Sequence, residues 1–309
     1  MSPFRPFLLS PSSEGGFSLA ESLTALSILL IVASVVSTGL VRMTEAQGTI
    51  WNRTEMHSGV RSATELLQQE VGQAGLITLP GPVTLLTAVT GTGSQVVNLS
   101  SVAGMFVGEL LTIDAGVNRE TAKITAINAA SSQVTATFID THPLNSPISV
   151  LGGFANGIVP TNVANGSTAT VLKMFGDING DGSMVYIEYT CDTVAGNLYR
   201  NVMPINAAAK QAVTASQVLL NNIQPNPGGA ACFTYQQQTV APDTFVTDVA
   251  ITLTVQTQQK DPVTKQYQKE TKALLNVSPR NVFNAWELAG IGETNRVQPT
   301  PPSVTTLLQ

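Results

Sequence analysis

Gly15-Gly16-Phe17-Ser18-Leu19-Ala20-Glu21 runs directly into Ser22-Leu23-Thr24-Ala25-Leu26-Ser27-Ile28-Leu29-Leu30-Ile31-Val32-Ala33-Ser34-Val35-Val36-Ser37-Thr38-Gly39-Leu40-Val41. This stretch decides how the chain is organised. Glu21 is its only charge. Read as a helix, its roughly 25 residues extend about 37 Å at ~1.5 Å per residue, enough for a bilayer core of ~30 Å. A carboxylate within such a span costs on the order of 2.5–3.5 kcal/mol at mid-bilayer, so Glu21 calls for a partner, and an amine is the natural one.

The junction resembles the cleavage and methylation segment of type IV prepilins and type II secretion pseudopilins. Gly16 is followed by a hydrophobic residue, Phe17, with Glu21 fifth after the junction and a long apolar helix behind it. The resemblance implies that a prepilin peptidase cuts after Gly16 and N-methylates Phe17, and that Glu21 pairs with the N-terminal ammonium of a neighbouring subunit. It also implies the partners: other pilins or pseudopilins through the helix, the peptidase, and the inner membrane. The head would lie in the periplasm, then on a pilus, a pseudopilus or the cell surface. The plainer alternative is a signal anchor with a chance glutamate.

Residues 1–16 read as a leader peptide rather than as structure. Prolines and serines interrupt them, and the apolar run that follows exceeds a secretory h-region of about 7–15 residues, so it is expected to be retained. The leader departs from the family habit in having one basic residue, Arg5, and an acid, Glu14, just before the junction. Arg42 lies beyond the apolar run, so the positive-inside rule leaves orientation open.

The 309 residues are 43% hydrophobic but only 11% charged, a mix that suits an exported β-rich protein. The net charge of −5, without a basic cluster, argues against nucleic acid as a partner.

From Arg42 the pattern turns amphipathic. Met56, Val60, Ala63, Leu67, Val71 and Ala74 recur every third or fourth residue, one stripe of a helix. Met43, Ala46 and Ile50 form a similar stripe before a phase slip near Gly48 to Asn52. One helix over 17–75 is expected, transmembrane over 17–41 and amphipathic over 42–75, with Gly75 at its end.

Pro80-Gly81-Pro82 breaks the chain. Short alternating runs follow, Gln95–Leu99, Glu109–Asp114, Thr121–Ile127 and Val134–Ile139, which read as an inserted β-module over 81–152. Strand-like runs resume at Thr170–Phe175, Met184–Cys191, Leu198–Val202, Gln217–Leu220, Cys232–Tyr235, Thr247–Thr257 and Lys272–Val277. Asp261-Pro262-Val263-Thr264 is expected to turn the last two into a hairpin. The runs around Met184–Val202 and Thr247–Val277 resemble the C-terminal sheet of PilW/PulJ-like minor pilins. The expected fold is therefore α+β: a long helix packed on a mainly antiparallel sheet head over 153–290, with a small all-β insert. The polar, proline-rich stretch 291–309 reads as a disordered tail.

Nothing points to an enzyme. The two histidines, His57 and His142, read as surface residues, and no HExxH, G-x-S-x-G or P-loop pattern is present. Trp51 and Trp286 read as interface or packing residues. One loop could hold metal: Asp177, Asn179 and Asp181 occupy positions 1, 3 and 5 of a calcium-loop pattern, Gly182 position 6 and Glu188 position 12. Yet six extended residues would carry Glu188 about 20 Å away, at ~3.4 Å each, and an Asp/Asn/Gly hairpin turn explains the loop without Ca2+. Cys191 and Cys232, the only cysteines, are expected to pair in an oxidising compartment, the alternative being two buried thiols.

Two functions follow. One is a non-enzymatic minor pilin or pseudopilin, assembled through its helix in a tip or initiation role. The other is a membrane-anchored, adhesin-like protein whose β-module binds a ligand and whose helix never polymerises.

Overall fold

The computed structural model describes Gly16 and residues 18–309. Most of the expected leader, and Phe17, lie outside the described residues. Helix α1, Leu19–Gln73, runs through the Gly48–Asn52 phase slip without a break. No proline falls between Pro11 and Pro80, and scattered glycines cost only about 1 kcal/mol each in a helix. Every residue from 18 to 44 is exposed, whereas Val60, Ala63, Thr64, Leu67, Glu70 and Val71 are buried. Beyond the helix Gly75 turns at φ +82°, a left-handed conformation that favours glycine. Its N–H donates to the Phe175 carbonyl (2.9 Å), and its own carbonyl accepts from Phe154 N–H (2.9 Å). Gly157 must stay bare here, since a Cβ would lie 2.2 Å from the Gly75 Cα.

Six strands follow: β1 Val83–Thr84, β2 Gly93–Asn98, β3 Leu110–Ile113, β4 Glu120–Asn128, β5 Gln133–Phe138 and β6 Pro147–Val150. They form one antiparallel sheet in the order β1-β6-β3-β4-β5-β2. Past β1 the chain returns to the end of β2, where Leu86 N–H donates to Asn98 O (2.7 Å) and Ser100 N–H to Thr84 O (3.0 Å). The sheet thereby closes into a small barrel. Its interior holds Leu85, Val97, Leu99, Leu111, Ile113, Ile124, Val134 and Phe138.

After β7, Gly153–Phe154, the head is built from two sheets. The first joins β8 Val171–Gly176, β9 Val185–Asp192, β10 Asn197–Pro204 and β11 Val218–Asn221 in the order β11-β10-β9-β8. The second is centred on β14 Asp243–Gln256, with β12 Ile223–Gln224 and β13 Phe233–Val240 along one side and β15 Lys269–Val277 along the other. The β14–β15 turn is made by Asp261, whose Oδ1 accepts from Val263 N–H (2.9 Å) and Thr264 N–H (2.7 Å). The inner residues of both sheets and the α1 stripe share one apolar core. The protein is thus α+β, a long apolar helix leading into a mainly antiparallel β domain. Helix α2, Arg280–Gly290, buries Val282, Ala285 and Ala289 beside Phe245.

Residues 291–309 are ordered, not the disordered tail their composition suggests. Strand β16, Val297–Gln298, pairs in parallel with β7, and helix α3, Pro302–Leu307, buries Val304 and Leu307 among Phe154, Phe175, Tyr186 and Met203. Three widely spaced apolar anchors do this, and Pro302 pre-sets the first turn of α3.

Candidate functional site

The helix start is built by its own side chains. Ser18 Oγ accepts from Glu21 N–H (3.2 Å), and Glu21 Oε2 accepts from Ser18 N–H (3.0 Å). This reciprocal cap follows from the S-x-x-E spacing. Gly16 is exposed one residue before Phe17, and Glu21 is exposed as well. Helix α1 is the one helix among the described residues long and apolar enough to cross a membrane.

Asp177, Asn179 and Asp181 open the turn between β8 and β9. Asp177 is buried, and its two oxygens take three protein donors: Thr78 Oγ1 (2.7 Å) and Gly182 N–H (2.9 Å) on Oδ2, Asp181 N–H (3.1 Å) on Oδ1. Asp181 Oδ1 accepts from Ser183 N–H (2.8 Å), and Asn179 is exposed. The loop is tied to the chain leaving α1 through Asp177. Glu188 is not at this loop. It stands on β9 opposite Lys173 of β8, and its Oε2 meets Lys210 Nζ (2.8 Å), Lys173 Nζ (3.7 Å) and Tyr186 Oη (3.0 Å). An extended strand carries it away and two lysines hold it. Among the described residues no three His, Cys, Asp or Glu side chains form a metal-ligating group.

Cys191 on β9 and Cys232 just before β13 are bonded, linking the two sheets of the head. His57 is exposed and pairs with Glu270. His142 is not a surface residue: it is buried in the barrel, with Nε2 3.1 Å from Glu120 Oε1 and Nδ1 3.5 Å from Asp114 Oδ2. The Thr141-His142-Pro143 stretch reads as loop, but Val89 and His142 exchange backbone hydrogen bonds and draw the ring inside. Backbone hydrogen bonding, chiefly from Ala115 N–H, and the His142 contact hold the Asp114 carboxyl below its ordinary range. Trp51 is exposed, and Trp286 is half-buried against Phe283, ring centroids 5.2 Å apart.

Three polar groups escaped the sequence reading. Glu70, buried on α1, accepts from Arg200 Nε (3.1 Å) and Nη2 and from Tyr189 Oη, a charged knot between helix and first sheet. Burial, then Glu70, raises the Tyr189 phenol. Gln298 is fully buried, and its amide brackets β3: Oε1 accepts from Leu110 N–H (3.0 Å), and Nε2 donates to Leu110 O (2.9 Å) and Leu151 O (3.1 Å). Beside it Glu109 is fully buried, with Oε2 on Phe106 N–H (3.0 Å) and Oε1 without a partner. Burial pushes its carboxyl up to about 7. Strand alternation gives no signal for these three, though it does for another buried acid, Glu120, which it sets on the same face as Ala122 and Ile124 inside the barrel.

Set beside known proteins, this chain matches no family model, no curated protein and no solved structure.

Proposed function

We propose that this chain is a minor pilin or pseudopilin, a structural subunit that moves from the membrane into a filament through α1. The observation that carries the reading is the stretch 18–44, exposed throughout, with leucine, isoleucine and valine on every side and one acid at its start. Lipid satisfies such a surface before assembly, and neighbouring helices satisfy it afterwards. Small residues such as Ala25, Ala33 and Gly39 then allow close approach. Processing after Gly16 would leave an ammonium at Phe17, and Glu21 would neutralise the ammonium of a neighbour. The size of the head suits a tip or initiation position better than a densely repeated one. Peptide mass analysis of membrane-extracted protein should find a methylated N-terminus at Phe17. Glu21→Ala should insert normally yet fail to enter sheared filaments; normal incorporation would count against the filament reading.

A second reading has its own observation. The barrel closes on itself and has its own core, the form of a binding module carried by an anchored, adhesin-like protein. In that case Glu21→Ala would be silent, and deleting the barrel would abolish surface binding.

A further inference from the structure

Among the described residues strand β15 has a neighbour on one side only, because β12 and β13 both take the opposite side of β14. Its outer edge is open and regular over the six residues from Lys269 to Leu274, beyond which the strand bulges, with Asn276 at φ +58°. That is about 20 Å of backbone at ~3.4 Å per residue, with no proline in it, and open edges accept further strands.

Helix α1 runs alongside this edge and makes it one wall of a groove. Arg61, Gln68 and Gln73 line the helix side, Lys272 and Leu274 the floor, and Arg280 the far end, where the groove encloses about 1100 Å³. Gly72 has open space in front of it on the helix wall, so a backbone can come close there. A strand edge flanked by a helix is the geometry in which extended peptides bind by strand addition, main-chain hydrogen bonds giving affinity and alternate side chains giving selectivity.

Charge narrows the occupant. Glu270 is bound to His57, Glu65 to Arg61 and Glu70 to Arg200, whereas Lys272 and Arg280 have no ion-pair partner among the described residues. Two copies of β15 set edge to edge would bring Lys269 and Lys272 of both into one short ribbon, and like charges oppose that pairing. We infer that the groove binds an extended, acidic segment of a different protein, added to β15 as one more strand with carboxylates toward Lys272 and Arg280. The inference is independent of whether α1 polymerises.

The test uses the full chain in detergent micelles and three fluorescent octapeptides. One alternates glutamate with valine and threonine; the second has lysine for glutamate; the third is the acidic peptide N-methylated on alternate backbone nitrogens. The acidic peptide should bind at least about tenfold more tightly than the basic one and should slow amide exchange within 269–277. N-methylation should abolish binding, and Lys272→Glu, an exposed substitution, should remove or reverse the preference. Equal affinity for the two charges, indifference to N-methylation, unchanged exchange at 269–277, or no binding at all would each overturn the inference. So would protection of 269–277 without peptide that rises with protein concentration, which would assign the edge to a second copy.

Discussion

Glu109→Gln should stabilise the protein at alkaline pH and do nothing at acid pH. Glu109 is fully buried, one oxygen is bonded to Phe106 N–H and the other has no partner. Desolvation moves its carboxyl from 4.5 to about 7 in the folded chain. A group raised in this way favours folding while protonated. Its contribution is fully present below pH 4.5 and is lost as pH rises through about 7, where folding must bury a charge. The upward move is worth on the order of 3 kcal/mol at ~1.36 kcal/mol per unit. Glutamine keeps the shape and the acceptor for Phe106 N–H and cannot ionise. The assay is thermal unfolding of wild type and variant in one detergent at pH 5 and pH 8. The change in the wild-type-to-variant gap between the two pH values isolates Glu109, because every other titrating group is common to both proteins. A variant melting several degrees higher at pH 8 and near wild type at pH 5 is expected. An equal gap at both pH values would refute the buried-charge reasoning.

Arg200→Met would leave Glu70 without its cation at the helix–sheet interface, with only the Tyr189 hydroxyl on it and an expected loss of about 3–5 kcal/mol in denaturant titrations; Glu70→Gln combined with it should recover much of that. Gln298→Ala would strip partners from Leu110 N–H, Leu110 O and Leu151 O, at about 1–3 kcal/mol for each group left buried and dry, and amide exchange should speed up at Leu110 before it does in the head. Because protein donors already occupy both Asp177 oxygens, millimolar calcium and EDTA should give the same melting temperature. A rise in calcium that disappears in Asn179→Ala/Asp181→Ala would restore the metal reading.

Local periodicity made much of the fold legible. A proline-free run with an apolar stripe from Met56 to Ala74 could only be a helix packed along one side. Asp261-Pro262 carried its turn chemistry in the residues themselves. What stayed hidden depended on long-range closure. Nothing near Leu85–Leu86 announces that it meets Asn98–Ser100, so the module read as strands and not as a barrel. His142 looked exposed because its burial comes from Val89, some fifty residues earlier in the chain. Residues 291–309 looked disordered because their order rests on Val297, Val304 and Leu307 finding partners on β7, β8, β9 and β10. The knot at Glu70 was invisible for the same reason: a glutamate beside an apolar stripe reads as solvated until Arg200 and Tyr189 arrive across the core.

The barrel enters and leaves the head at a single point. Leu76 and Gly153 face each other in a β-bridge, so the chain between them is a closed excursion whose two ends already touch. Such an excursion is a cartridge: because closing a loop costs only about 0.6 kcal/mol more per doubling of its length, another module could be spliced at the same joint without redrawing the sheets. The joint is not indifferent to what it carries, however. Removing the barrel would take the Leu110 partners from the Gln298 amide, and would uncover Phe106's face of Phe154. A transplanted module would have to bring its own backbone groups to that glutamine, which makes Gln298 the adaptor residue of the joint.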